Sequence, residues 1–141
     1  IDKYINHLSY FESVCGLNYS IDTQMPIVMQ MWNKYRNMAL DWYLTLQGIV
    51  VIPHVTIMPY KGREWLLDGI PKHSAVSCST IGKIRSKSAR EEFCDGFKEM
   101  EERLQPKKVV MIGMIPQELK SNVEILNFKS SHQKDLSKYG R

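Results

Sequence analysis

The densest run of chemically useful side chains lies between residues 79 and 90. Ser79-Thr80-Ile81-Gly82-Lys83 is followed by Arg85, Lys87, Ser88 and Arg90. A strand pattern with partial alternation, 75–81, closes on a glycine. Basic residues follow, and a helix opens at Ser88, which makes a capping box with Glu91. Backbone N–H groups and the helix dipole make such a turn receptive to phosphate or another anion. We therefore expect Gly82, Lys83, Arg85, Lys87, Ser88 and Arg90 to form an anion- or partner-binding set. The spacing is not that of a Walker loop, and four cations in eight residues also read as a solvated surface loop.

For acid–base chemistry the candidates are His54, Asp68 and Thr80, with Thr56 beside His54. His54 could transfer a proton at the end of a strand, and Thr80 lies near it if the two strands are neighbours. Asp68 sits in an Asp-Gly turn at the rim of the same site. His54 and Asp68 also have plainer readings: a hydrogen-bonded core histidine, and a turn aspartate that supports its own backbone. No Ser-His-Asp order or H-E-x-x-H motif is present, and His7, His73 and His132 have no ligand spacing. We expect no metal site and no cofactor.

These residues need a scaffold, and the run Ile49 to Ile57 (IVVIPHVTI) is its centre. It is apolar and β-branched at nearly every position, which suits a strand buried on both faces. Its polar carboxyl end is where open α/β sheets place ligands. Before it, residues 25–47 carry the best helical pattern. Val28, Met31, Trp32, Tyr35, Ala39, Trp42, Tyr43 and Leu46 form an apolar stripe predicted to face the core, with Gln30, Asn33, Lys34, Asn37, Asp41 and Thr45 opposite. Arg36 adjoins the stripe and reads as a structural arginine. Pro26 suits the first turn, and Gly48 a left-handed residue past the end.

At the start, Tyr4, Ile5, Leu8 and Phe11 line one face of a weaker helix ending near Gly16. The first residue is not methionine, which we read as a trimmed chain or fragment. Beyond the central strand, 65–67 reads as a short strand and 75–81 as a second strand. A helix follows over 88–105 with Ala89, Phe93, Phe97, Met100 and Leu104 inward. Then come a strand over 108–112, a short helical turn over 116–119 and a strand over 123–128. The unit 75–112 is long enough for a right-handed parallel crossover. The prediction is one α/β domain over 1–128, a mainly parallel sheet of about four strands flanked by helices, and a polar, basic tail over 129–141.

Length and composition agree with this. The 141 residues, 43% hydrophobic and 24% charged, are ordinary for one soluble domain. No apolar run reaches the ~20 residues that span a bilayer, so no membrane partner is expected. Cys15, Cys78 and Cys94 are scattered and odd in number, which speaks against a disulfide framework and for a reducing, cytoplasmic setting. A net charge of +4 and a pI near 8.9 permit an anionic partner without requiring one.

Four motifs occur in order: MPxxxQxWNxYRN over 25–37, GIxVIP over 48–53, DGIP over 68–71 and STxG over 79–82. With them the chain resembles a family of bacterial, phage and mobile-element proteins known only as a domain of unknown function. The resemblance covers about 4–128 and implies an α/β fold in a phage or mobile-element setting. It brings no activity. Family members usually begin with an upstream segment rich in aromatics and aspartates, which has no counterpart here. They also carry a proline-aspartate pair before the serine of the first loop, where this chain has Leu17-Asn18-Tyr19-Ser20. If the family has enzymes, these departures point to a copy that keeps the scaffold and has lost the chemistry.

Two functional readings follow. The first is a non-catalytic phage or mobile-element accessory protein. It would bind nucleic acid or a host protein that processes nucleic acid, for example as an inhibitor of a defence nuclease. The second is an enzyme acting on a phosphorylated or nucleotide substrate at the carboxyl edge of the sheet, through His54, Asp68, Thr80 and Lys83.

Overall fold

A computed structural model of the chain describes residues 2–129. The predicted tail therefore lies, apart from Lys129, outside the described residues. The chain divides into two compact units, 1–56 and 57–141. It is an α/β protein with three helices and five strands among the described residues, every strand pair parallel. The strands form separate sheets of two and three rather than one sheet of four.

In the first unit, helix α1 spans Asp2–Leu8, strand β1 Val14–Cys15, helix α2 Ile27–Leu46 and strand β2 Val51–Ile52. Helix α1 stops well before Gly16 and buries no residue completely; Tyr4 and Phe11 are exposed. Gly16 instead follows β1, with its N–H donating to Ile52 O at 2.7 Å. A Cβ there would lie 2.5 Å from Asp41 Oδ2 and 2.9 Å from His54 N, so only glycine fits. The expected long central strand is much shorter. β2 has two residues, because Pro53 has no N–H with which to continue the ladder. The flanking Ile49 and Val55 are nevertheless buried.

Helix α2 has nearly the predicted ends, and Gly48 takes φ 80° beyond it. Its orientation reverses the prediction. The buried residues are Gln30, Asn33, Asn37 and Leu44, while Val28, Met31, Trp32, Tyr35, Trp42 and Leu46 are exposed. Hydrophobic periodicity identifies the stripe. It carries no information on which face has hydrogen-bonding partners waiting for it.

In the second unit, strands β3 (Ala75–Ser79), β4 (Lys108–Ile112) and β5 (Glu124–Phe128) lie in that order, in register from Ala75↔Lys108 and Lys108↔Glu124. Helix α3, Lys87–Leu104, makes the β3–β4 crossover. Phe93, Phe97, Met100 and Leu104 recur at i, i+4, i+7 and i+11 and are buried with Gly96. A Cβ on Gly96 would stand 2.6 Å from Met58 O, so this glycine lets α3 close onto the backbone at Met58. Val76, Ser77, Cys78, Val109 and Met111 are fully covered, as befits a parallel sheet. The expected strand over 65–67 is a 3-10 turn, Glu64–Leu67, whose Leu66 and Leu67 reach the core. The expected helical turn over 116–119 is a single turn closed by Leu119 N–H on Pro116 O at 3.1 Å.

Burial lifts the Tyr60 hydroxyl above its ordinary range and pushes the Cys78 thiol up to about 12. Cys78 is thus an inert part of the core.

Candidate functional site

The carboxyl ends of β3 and β4 and the start of α3 come together where the basic turn was expected. Ser79 Oγ donates to Ile112 O at 3.3 Å and accepts from Ile81 N–H at 3.2 Å. Thr80 is buried, with its N–H and hydroxyl directed to the same Ile112 carbonyl at 3.0 and 3.4 Å. Gly113 faces it at φ 111°, and a Cβ there would come within 2.3 Å of Thr80 Oγ1. These hydroxyls tie the two strand ends together. Gly82 turns the chain at φ 77°.

The cations of the turn divide into two groups. Lys83 Nζ donates to Ile57 O at 3.3 Å, and Arg90 Nε pairs with Glu118 Oε1 at 2.8 Å. The hydrogen bond from Arg90 holds the Glu118 carboxyl below its ordinary range. Lys87 lies in solvent with a loose 3.8 Å approach to Glu91, and Arg85 is exposed. The cap of α3 is Ser86, not Ser88: Ser86 Oγ accepts from Ala89 N–H at 3.1 Å. Ser88 sits in the first turn, its hydroxyl 3.5 Å from Glu92 Oε1. A cleft of about 270 Å³ runs beside the turn, lined by Ile84, Arg90 and residues 114–118.

Asp68 does not join Thr80 at this edge. Asp68 ends the 3-10 turn and lines a groove with Glu102, Arg103 and Leu104 at the carboxyl end of α3. Because α3 returns the chain from the end of β3 to the start of β4, Asp68 and Thr80 lie at opposite ends of the sheet. A five-residue strand, roughly 17 Å, lies between them. His54 follows β2, which pairs with β1 and not with β3. Thr56 is buried. Among the described residues no three His, Cys, Asp or Glu side chains converge to hold a metal ion.

The polar face of α2 forms a second constellation. Gln30, Asn33, Asn37 and Asp41 fall at i, i+3, i+7 and i+11, on one side of the helix, and each holds a backbone group of the irregular segment 17–25. Gln30 Nε2 donates to Met25 O at 2.7 Å, and Asn33 Nδ2 to Ser20 O at 2.7 Å. Asn37 accepts from Tyr19 N–H at 2.6 Å and donates to Tyr19 O at 3.1 Å. Asp41 Oδ1 accepts from Leu17 N–H at 3.0 Å. Arg36 donates to Asn33 Oδ1 and lays its guanidinium over the Tyr19 ring, 3.8 Å from the centroid. Burial raises the Asp41 carboxyl, against the opposing pull of Leu17 N–H and Lys34.

This row was open to sequence reasoning. Amides and an acid at helical spacing opposite an apolar stripe could equally clamp a loop or face water, and only the burial distinguishes the two. Several residues of the four motifs therefore serve the fold: Gln30, Asn33, Arg36 and Asn37 bind a loop, Pro53 stops a strand, and Ser79 and Thr80 join two strand ends.

Fold and site together define a small α/β protein of parallel strands, whose most distinctive polar residues satisfy its own backbone. The chain belongs to the family described as Domain of unknown function (DUF4417), whose model matches residues 1–129. It is 34% identical over 98 residues to the Gene 1 protein of Mycobacterium phage L5, an alignment covering 70% of this chain and 43% of that protein. To the Gene 1 protein of Mycobacterium phage D29 it is 30% identical over 98 residues, covering 70% and 36%. The chain thus spans less than half the length of these phage relatives. No solved structure matches it, and no helix among the described residues is long and apolar enough to cross a membrane.

Proposed function

We propose that the protein is a non-catalytic phage or mobile-element accessory protein that binds nucleic acid, or a host protein that processes it, through the basic turn at the start of α3. The observation that carries this reading is the division of the turn's cations. Lys83 and Arg90 hold the fold, whereas Arg85 and Lys87 stand in solvent beside a helix amino end, where an anion is favoured. Inhibition of a host defence nuclease is one form such binding would take. The separation of Asp68 from Thr80 counts against the enzyme reading, which needs them in one site.

The test is titration of short single- and double-stranded DNA into the purified chain at low salt, with the Arg85→Glu/Lys87→Glu double variant alongside. Salt-dependent binding by the native chain is expected. The variant should lose at least about tenfold in affinity while melting at nearly the same temperature. Native binding that the variant leaves unchanged would remove this turn from the interface. Absence of any binding would leave only the host-protein form of the proposal, to be tested by capture from lysate with the same pair.

A further inference from the structure

We propose that the outward face of α2 is a self-association surface that joins two copies of this chain about a two-fold axis. The face cannot be hidden by rolling the helix, because Gln30, Asn33, Asn37 and Asp41 on the opposite side are all engaged with segment 17–25. What remains outward is Val28, Met31, Trp32, Tyr35, Met38, Trp42 and Leu46, with Trp32 50%, Tyr35 61% and Trp42 65% exposed. Aromatic side chains of this size bring the exposed stripe to about 800 Å², one partner's share of a standard interface and more than a monomer usually leaves in one patch.

The composition of the face selects a second copy as the occupant. Val28, Met31, Tyr35, Met38 and Trp42 are spaced by three, four, three and four, the a/d pattern of a helix that packs against another. No charged residue falls on that seam, so nothing in it repels an identical helix or attracts a partner of opposite sign.

A two-fold antiparallel pairing centred between Arg36 and Asn37 is self-complementary. Residue i of one copy then meets residue j of the other, and j meets i. Trp42 comes against Met31 and Tyr35 against Met38, favourable sulfur–aromatic pairs. At one flank the large Trp32 meets the small Ala39.

Sedimentation equilibrium of the full chain, from about 1 to 100 μM, tests this. A monomer–dimer equilibrium is expected. Tyr35→Glu and Trp42→Glu should each raise the dissociation constant by about 100-fold or more, with unchanged circular dichroism. Val50→Glu, at an exposed apolar residue outside α2, should leave the dimer intact. Should either glutamate variant fail to fold, the shift of native tryptophan emission on dilution from dimer to monomer gives an independent reading, since Trp42 lies in the seam and Trp32 on its flank. A native chain that is monomeric across the whole range overturns the proposal, whatever else covers the face. So does a dimer indifferent to both variants.

Discussion

Helices α2 and α3 are of similar length and both amphipathic, yet they use their two faces in opposite ways. α3 turns Phe93, Phe97, Met100 and Leu104 to the core and its charges to solvent. α2 turns amides and a carboxylate inward and leaves tryptophan, tyrosine and methionine outside. What separates them is the material each has to cover. α3 lies in a unit with a three-stranded apolar sheet, where removal of apolar area from water dominates. α2 meets a segment, 17–25, that has almost no secondary structure of its own. Its backbone groups need partners, and an unpaired one costs about 1–3 kcal/mol. A helix is therefore oriented by the partner available to it as much as by its own apolar stripe.

The largest expected effect that could break this comparison is in α3. Phe97→Ala opens a cavity at a side chain with no exposed surface and should cost about 3–5 kcal/mol of unfolding free energy. Trp42→Ala, measured where copies are dissociated, should cost less than about 1 kcal/mol. Urea midpoints of the two variants decide it, and equal losses would mean that the outward face of α2 is not free. Under the same conditions we propose that the native chain unfolds in one cooperative step, as a single domain would.

Next in size is the clamp. Asn37→Ala removes both bonds to Tyr19 and should cost about 1–3 kcal/mol. A matching rise in amide exchange or proteolysis should appear within 17–25. Loss of stability without local loosening there would contradict the clamp.

The smallest effect concerns Asp41. Its carboxyl is raised in the folded state, chiefly by burial, so the folded protein holds this proton more tightly than the unfolded chain. The contribution to stability is therefore full below the unfolded value, near the ordinary 3.8. It declines as pH rises from there through the folded value. Asp41→Asn can still accept from Leu17 N–H and cannot ionise. The native-minus-variant difference in urea midpoint should become less favourable to the native chain as pH rises from about 3 to 7. A difference that is flat, or of opposite sign, would show that Asp41 is not raised.

Much of the second unit was legible in the residues. The apolar runs at 75–79 and 108–112, the glycine that closes the turn and the inward stripe of α3 lead to the parallel crossover by local pattern and chain length alone. The first unit was harder. The run from Ile49 to Ile57 has strand composition throughout, but Pro53 and the needs of Gly16 and β1 leave only Val51–Ile52 in the ladder. The two residues of β1 carry no periodic signal. The candidate site was legible in part: the basic turn is where it was expected, whereas the roles of Lys83 and Arg90 depend on Ile57 O and Glu118, distant in sequence.

By itself, the sequence determined the two long helices, the strands of the second unit with their parallel crossover, and the family, because these rest on local periodicity, turn chemistry and motif order. Only the tertiary structure decided which side of α2 is buried, that Asp68 and Thr80 occupy opposite ends of a sheet, and that the motif amides and hydroxyls are bound to backbone. Those outcomes depend on which unsatisfied polar groups the rest of the chain brings within hydrogen-bonding distance, and that is settled when the chain closes on itself.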